Sequence, residues 1–227
     1  MIFGHKKPQP APTPDELEET DDLEDLEDED AEPVDEWVAL DLSRDWRDDG
    51  PFDIAEVDLT ADAVERIDLG TLIVTPERGM TIKLVTVNQT SQILHLVVES
   101  GPEAAMQITV LAAPAGENYC ATARADILEQ TDNVKVTELA KGPFGTEVRR
   151  VLTVTDDAGH EGFAPLRDWL INGPRWLLNV RLMGQAALDS DNTGVAAQFE
   201  EFVRNLIVRR GDAAMAPGAV VPLQPAE

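Results

Sequence analysis

The sequence predicts an α+β domain in which antiparallel β-sheet packs against two to three helices. In residues 72–112 and 142–187, apolar and polar side chains alternate as in successive β-strands, and turns rich in Gly, Pro, Asn and Asp divide these segments. One-sided apolar stripes at helical spacing indicate helices at 119–130 and 195–206. Runs of strands interrupted by isolated helices are typical of the α+β class.

The clearest strand signal is a β-meander from Gly142 to Ala187. Turn-forming residues at 156–159 and 172–174 divide it into three strands. In the third strand, one face carries Trp176, Leu178, Val180 and Leu182, and the other carries Arg175, Leu177, Asn179, Arg181 and Met183. A β-strand imposes this period of two on its side chains, so we expect the meander to be the framework of the domain.

A second antiparallel set precedes the meander. Its predicted strands are Leu72–Thr75, Thr81–Val87, Ile93–Glu99 and Ala105–Ala112, with a hairpin loop at 88–91. A short strand at 134–139 leads into the meander. Upstream, Thr60 is a suitable N-cap and Gly70 a suitable terminator, which predicts a short helix carrying Val64 and Ile67.

Two longer helices have apolar stripes that should pack on the sheet. The first is predicted over Tyr119–Gln130, with Cys120, Ala123, Ile127 and Leu128 on its buried face and Arg124, Asp126 and Glu129 on its polar face. The last has the stripe Val195, Phe199, Phe202, Val203 and Leu206, with capping oxygens at 189–193 and Gly211 at its end.

Composition divides the chain into four parts. We expect a disordered Pro-rich and acidic arm at 1–36, a Trp-containing linker at 37–49, one α+β domain at 50–215 and an extended tail at 216–227. Trp37 and Trp46 of the linker have two interpretations. They form a docking motif for a partner, or they pin the start of the domain against its own core.

Negative charge is concentrated in the arm. The formal net charge of −26 divides into +2 from Lys6 and Lys7, −15 between Asp15 and Glu36, and −13 from Trp37 onward. Nucleic-acid backbones and anionic membranes are bound by clustered Lys and Arg, so this balance argues against both partners. The arm is either a solubilising tail or a decoy for basic surfaces. Residues 25–30 lack the spacing of a calcium-binding loop.

The sequence indicates a cytoplasmic protein. Cys120 is the single cysteine, so no internal disulfide is expected. The N-terminal lysines are followed by a proline-rich segment rather than by the apolar segment of a signal peptide. No apolar run approaches the roughly 20 residues that a membrane-spanning helix needs.

Catalytic motifs are absent from the sequence, so we predict no catalytic residue, no cofactor and no metal. The G-x-S-x-G, Walker, G-x-G-x-x-G and H-E-x-x-H patterns do not occur. Two alternatives exist for Asp156, Asp157, His160 and Glu161: a metal site, or a solvated hairpin loop. Cys120 is either a nucleophile or, on the apolar face of its helix, a buried small hydrophobe.

The candidate ligand-binding constellation is a group of arginines beside a tryptophan. Its members are Arg149, Arg175, Arg181 and Trp176, with Trp169 as an alternative aromatic neighbour. Arginines on neighbouring strands that face the same way would bind a carboxylate or phosphate bidentately, including carboxylates of the acidic arm. The alternative is ordinary pairing of these arginines with nearby carboxylates, namely Glu147, Glu161 and Asp168.

Four short motifs make the chain resemble a known family. They are Gly50-Pro51-Phe52-Asp53, Gly142-Pro143-Phe144-Gly145-Thr146-Glu147, Gly173-Pro174-Arg175-Trp176, and Arg210-Gly211-Asp212 with Met215-Ala216-Pro217. Over roughly 50–223 the chain resembles bacterial cytosolic proteins that carry a domain of unknown function, and an acidic arm is typical of them. The resemblance implies a fold unit and carries over no functional residues. The element order also resembles the Mog1/PsbP-like α/β/α sandwich.

Three functions from different classes are consistent with these patterns. The favoured one is a non-enzymatic protein-interaction or regulatory module, which binds an unknown protein partner through the sheet face and uses the acidic arm for electrostatic tuning. The first alternative is a small anionic-ligand-binding domain built on the arginines. The second is an enzyme of unrecognised type, which requires a cleft with paired, pKa-shifted acids.

Overall fold

The computed structural model describes residues 35–86 and 92–225. Its helices are α1 (Glu36–Leu42), α2 (Cys120–Glu129), α3 (Gln185–Leu188) and α4 (Val195–Arg204), with a 3₁₀ turn at Ile54–Glu56. Its strands are β1 (Phe52–Asp53), β2 (Ile67–Asp68), β3 (Leu72–Val74), β4 (Met80–Thr86), β5 (Ile93–Ser100), β6 (Ala104–Ala112), β7 (Val134–Gly142), β8 (Gly145–Thr155), β9 (Glu161–Gly173), β10 (Trp176–Gly184) and β11 (Ile207–Val208). Within the described ranges, no helix has the length and apolarity needed to cross a bilayer. Residues 1–34 of the arm and the hairpin loop at 88–91 lie outside the described residues. The arm was expected to extend to residue 36, but Asp35 caps α1 and Glu36 begins it.

Seven strands form one antiparallel sheet in the order β4-β5-β6-β10-β9-β8-β7. The predicted meander is confirmed, since β8, β9 and β10 are successive neighbours. Three strands of the predicted second set, β4, β5 and β6, join the meander through β6, where Thr109 lies opposite Asn179 of β10. The fourth, predicted at Leu72–Thr75, is β3 and lies in a different sheet. A smaller sheet has the order β1-β11-β3-β2, in which β1 and β11 are parallel. The α+β class is therefore confirmed.

Helices pack on both faces of the seven-stranded sheet. On the α4 face, strand residues pack with the stripe of α4 in the main core: Trp169, Ile171, Leu178, Val180 and Leu182 with Phe199, Phe202 and Val203. On the opposite, α2 face, Leu170 and Leu177 pack with Cys120, Ala123 and Ile127. The predicted stripe of α4 is confirmed. Each fully buried large apolar side chain in these cores contributes roughly 1.5–3 kcal/mol relative to exposure.

The predicted faces of α2 are wrong at two positions. Leu128, expected on the buried face, is 38% exposed, whereas Arg124, expected on the polar face, is buried. Arg124 Nη1 donates a hydrogen bond to Asp41 Oδ2 at 2.6 Å. Cys120, Ala123 and Ile127 face inward as predicted, and the ion pair with a carboxylate on α1 accounts for the burial of Arg124 beside them.

The helix predicted over 60–70 is wrong. These residues form turns and irregular backbone that lead into β2. Asp58 Oδ1 accepts from the backbone N–H of Thr60 at 2.9 Å, and Asp62 Oδ1 accepts from that of Val64 at 3.0 Å. Such bonds from a side chain to the backbone two residues ahead compete with helical hydrogen bonds, which explains the difference.

Both ends of the described chain pack on the domain. The folded unit begins at Asp35 rather than at the expected residue 50, because α1 lies against β8 and α2. Where an extended tail was expected, Val221 and Leu223 are buried. Their backbone N–H groups donate to carbonyl oxygens of β6 and β5, each at 2.8 Å. Apolar burial and pairing with the sheet thus hold the tail in place.

Candidate anion-binding groove

A groove with a volume of ≈ 490 Å³ lies where α1, the β7–β8 hairpin and α4 meet. Its lining residues are Leu40, Ser43, Arg44 and Trp46 in and after α1, Lys141, Gly142 and Pro143 of the hairpin, Arg167 of β9, Ser190, Asp191 and Asn192 after α3, and Glu200 and Arg204 of α4. Clefts of this size accommodate small metabolites. We refer to it as the groove.

The α1 wall of the groove is fixed at both of its ends. Asp35 caps the helix, because its side chain accepts from the backbone N–H of Trp37 at 2.9 Å. At the other end, the buried carboxylate of Asp41 accepts from Arg124 at 2.6 Å and from the backbone N–H of Thr146 at 2.8 Å. The wall is therefore positioned by α2 and β8, which are distant in sequence.

The β7–β8 hairpin forms a second wall, and two glycines allow it to approach its neighbours. A Cβ on Gly142 would lie 2.7 Å from Glu147 Oε2. Gly145 has a φ of +103°, and a Cβ there would lie 2.8 Å from Asp41 Oδ1. Larger residues at these positions would displace the carboxylates. Close packing thus explains the glycines of this sequence motif.

A buried ion-pair network adjoins the groove through Arg167, which is part of the lining. Glu147 is 1% exposed and accepts from Arg167 Nη2 at 2.7 Å, Trp169 Nε1 at 2.8 Å and Arg149 Nε at 2.5 Å. Arg167 also donates to Asn192 Oδ1 at 3.0 Å and to a backbone carbonyl of the loop after α3 at 2.6 Å. These bonds hold that loop against β9 and set the shape of the groove.

Positive charge dominates the groove lining. Its charged members are Arg44, Lys141, Arg167 and Arg204 against Asp191 and Glu200. Arg204 pairs with Glu200 at 2.8 Å, and Arg44 stacks 4.2 Å from the centroid of the Trp46 ring. Arg44 and Lys141 are exposed, and neither has an ion pair among the described residues. The lining therefore has a local excess of positive charge in a chain whose net charge is −26.

The structure does not bring the predicted arginines together. Arg149 lies opposite Arg167 of β9, whereas Arg181 lies opposite Asp168, the next residue of that strand. Successive strand residues point to opposite faces, so Arg149 and Arg181 are on opposite faces of the sheet. Arg175 lies outside the strands, in the β9–β10 turn. The expectation of one shared cluster is corrected accordingly.

The predicted residues have local partners instead. Arg149 pairs with Glu147, and Arg181 Nε donates to Asp168 Oδ1 at 2.8 Å. Trp176 is fully buried, and its Nε1 donates to Asp53 Oδ2 at 2.7 Å. Ordinary carboxylate pairing therefore describes Arg149 and Arg181. Ligand binding by these residues stays a prediction.

Sequence patterns did not identify the cations of the groove. They come from positions 44, 141, 167 and 204, in four segments that share no motif. Two weak signals were present: Arg44 is two residues from a tryptophan, and Lys141 directly precedes the Gly-Pro-Phe-Gly turn. Neither signal shows that these segments meet.

The residues around Asp156 make local contacts. Among the described residues, no group of three or more His, Cys, Asp or Glu side chains is arranged to hold a metal ion. Asp156 accepts from the backbone N–H of His160 at 2.8 Å, and its Oδ2 lies 3.1 Å from His160 Nδ1. The backbone bond from His160, followed by its side-chain bond, lowers the pKa of Asp156. The geometry is that of an exposed hairpin turn.

Cys120 is expected to react slowly with thiol reagents. It is buried on α2, and burial, with a smaller effect of the Asp41 charge, raises the pKa of its thiol to about 12. Because the thiolate is the reactive form, iodoacetamide near neutral pH should alkylate the folded chain at least about tenfold more slowly than the urea-unfolded chain. Similar rates in both states would indicate an accessible, activated thiol.

Two solved structures are similar to the chain in part. One is a crystal structure at 1.50 Å from Bacteroides thetaiotaomicron VPI-5482, with 10% identity and a TM-score of 0.38, covering 65% of this chain and 47% of the other. This chain thus spans about half the length of that protein. The other is the solution structure of cyanobacterial PsbP (CyanoP) from Synechocystis sp. PCC 6803, with 10% identity and a TM-score of 0.32, covering 67% of this chain and 98% of the other. At these scores, neither likeness carries an argument about function.

No curated protein sequence is significantly similar to the chain. A family profile described as "Protein of unknown function (DUF3710)" matches residues 50–227. The matched region contains the β7–β8 hairpin, β9 and α4, which line the groove. Helix α1, which also lines it, lies before the matched region. The resemblance to a family of unknown function is therefore confirmed. The chain belongs to the DUF3710 family of proteins of unknown function.

Proposed function

We propose that the domain is a non-enzymatic module of the bacterial cytoplasm that binds a small anionic ligand in the groove. The observation that carries this proposal is the exposure of Arg44 and Lys141 on the lining, without ion pairs among the described residues. Arg204 and Arg167 are already neutralised by carboxylates. A carboxylate or phosphate group supplies the counter-charge that the first two cations lack.

The lining also supports a particular type of ligand. The guanidinium of Arg44 is stacked on Trp46, 4.2 Å from the ring centroid, so little side-chain entropy is lost when it binds. The rest of the lining includes the hydroxyls of Ser43 and Ser190 and the carboxylate of Asp191. We therefore expect one anionic end near the cations and a neutral, hydrogen-bonding remainder.

The proposed location is supported by the sequence. A single buried cysteine is compatible with a reducing compartment, and the resemblance of the sequence motifs implies a bacterial, cytosolic protein. The acidic arm lies outside the described residues. A role for it in binding a protein partner stays a prediction.

Replacing Arg44 and Lys141 together with Gln is expected to weaken ligand binding at least about tenfold. Each hydrogen bond to a charged group contributes roughly 1.5–3 kcal/mol, and the double variant removes at least one of them. Binding is measured by titration calorimetry of the full chain with glucose 6-phosphate, glycerol 3-phosphate and citrate at constant ionic strength.

The matched control is R78Q/K135Q, which removes the same charge from exposed positions outside the groove. This control should bind like the unchanged chain. The proposal fails if R44Q/K141Q and the control have equal affinities, or if none of the three anions binds the unchanged chain.

A further inference from the structure

An exposed row of apolar side chains crosses three strands on the α4 face of the large sheet. Val136 of β7 lies opposite Val151 of β8, and Val151 lies opposite Pro165 of β9. Alternation along β9 places Pro165 and Phe163 on the same face as Trp169, which packs in the main core with α4. Phe163 is 71% exposed and Val136 is 55% exposed. We refer to Val136, Val151, Phe163 and Pro165 as the apolar patch.

The end of α3 adds apolar surface beside the patch. Arg167 follows Pro165 on the same face of β9, and its Nη1 donates to the carbonyl of Asp189 at 2.6 Å. The preceding residue, Leu188, is 63% exposed. Contiguous apolar surface of this kind, surrounded by polar residues, is typical of interaction sites.

The surroundings of the patch are acidic. Glu138 lies two residues from Val136 on β7, and Glu161 lies two residues from Phe163 on β9, so both carboxylates point to the patch face. Asp157 lies in the turn that joins β8 and β9. All three carboxylates are exposed, and none of them has an ion pair among the described residues.

The charge around the patch favours a basic partner. Of the two nearby cations, Arg149 lies opposite Glu138 but pairs with Glu147, and Lys135 lies in the bulge of β7. The chain from Trp37 onward has a net charge of −13, so a second copy would bring more negative charge to the patch. An anionic membrane is disfavoured for the same reason.

The position of β7 indicates how a partner is bound. Among the described residues, β8 is the single neighbour of β7, which is therefore an edge strand of the sheet. Edge strands present backbone N–H and C=O groups with which an extended segment pairs. A segment paired with β7 places every second side chain on the patch face, next to Val136 and Glu138.

We propose that the apolar patch binds an extended segment of a partner protein, which presents apolar and basic side chains on one face. The apolar side chains continue the row of Val136, Val151 and Pro165 and remove it from water. The basic side chains meet the carboxylates of Glu138 and Glu161. No residue of the patch lines the groove, so this inference does not depend on the function proposed for the groove.

The test is fluorescence anisotropy of the full chain with a fluorescein-labelled peptide that repeats leucine, threonine, lysine and threonine. As a strand, this peptide carries leucine and lysine on one face. We expect V136S/F163S to weaken binding at least about tenfold, because the apolar contacts are lost. E138Q/E161Q should weaken it about threefold at low ionic strength and less as salt is added, since peripheral charges are screened.

Two variants are matched controls. L128S/V154S removes apolar side chains that are 38% and 44% exposed and lie outside the patch. E65Q/E129Q removes two exposed carboxylates far in sequence from β7 and β9. Both controls should bind the peptide like the unchanged chain.

The proposal is overturned if the unchanged chain does not bind the peptide, or if the patch variants and the controls bind it equally. It is also overturned if V136S/F163S dissociates a dimer in analytical ultracentrifugation, or releases the chain from phosphatidylcholine vesicles in flotation. In those cases a second copy or a membrane covers the patch.

Discussion

Replacing Glu147 with Ala is expected to lower the free energy of unfolding by about 3–5 kcal/mol, the usual cost of removing one partner from a buried ion pair. Glu147 is almost fully buried and accepts hydrogen bonds from Arg149, Arg167 and Trp169. The Arg167 side chain is itself buried, so its charge cannot be hydrated by a small rearrangement when the carboxylate is lost. The indole N–H of Trp169 loses its acceptor as well.

Urea unfolding followed by tryptophan fluorescence measures this loss. The control is Glu99→Ala, which removes the carboxylate of a solvent-exposed pair with Lys83 at 2.7 Å. Exposed pairs contribute about 0–1 kcal/mol, so the control should unfold at nearly the original urea concentration. If Glu147→Ala cost no more than the control, the network would not be a buried, tightly coupled unit.

Replacing Asp41 with Ala is expected to lower the free energy of unfolding by about 3–5 kcal/mol and to abolish anion binding in the groove. Asp41 is buried between α1, α2 and β8, where it pairs with Arg124 and accepts from the backbone N–H of Thr146. Its removal leaves the Arg124 charge buried and unpaired. Its removal also releases α1 and the residues that directly follow the helix. Arg44 and Trp46, which line the groove, are among those following residues.

Chemical unfolding and titration calorimetry with glucose 6-phosphate measure the two effects. Asp45→Ala is the control, since Asp45 is exposed and accepts only a local bond from the N–H of Arg47 at 2.9 Å. We expect it to change stability by less than about 1 kcal/mol and to preserve binding. Normal groove affinity in Asp41→Ala would mean that α1 is held in place by other contacts.

Local periodicity was sufficient to establish much of the architecture. The alternation of β10 and the stripe of α4 are readable because a strand or helix imposes its period on near neighbours in sequence. The helix expected over 60–70 failed for an equally local reason, since Asp58 and Asp62 bond to the backbone two residues ahead. Whether such side-chain bonds replace helical hydrogen bonds depends on the local geometry, and the spacing of apolar residues does not reveal it.

The partners and positions of the charged side chains could not be predicted from local periodicity. Whether Arg149 and Arg181 share a face depends on strand register, and a shift of one residue transfers a side chain to the opposite face. Arg124 was assigned to the polar side of α2 because its partner, Asp41, is 83 residues away.

The amino-acid pattern alone was enough for the α+β class, the meander, the last helix and the acidic character of the chain. These properties arise from composition and from repeats over a few residues. Packing alone decided that Glu147 pairs with Arg167 and that Arg44 and Lys141 line one groove. Electrostatic pairing acts between side chains that folding brings together from remote segments, so no local pattern encodes it.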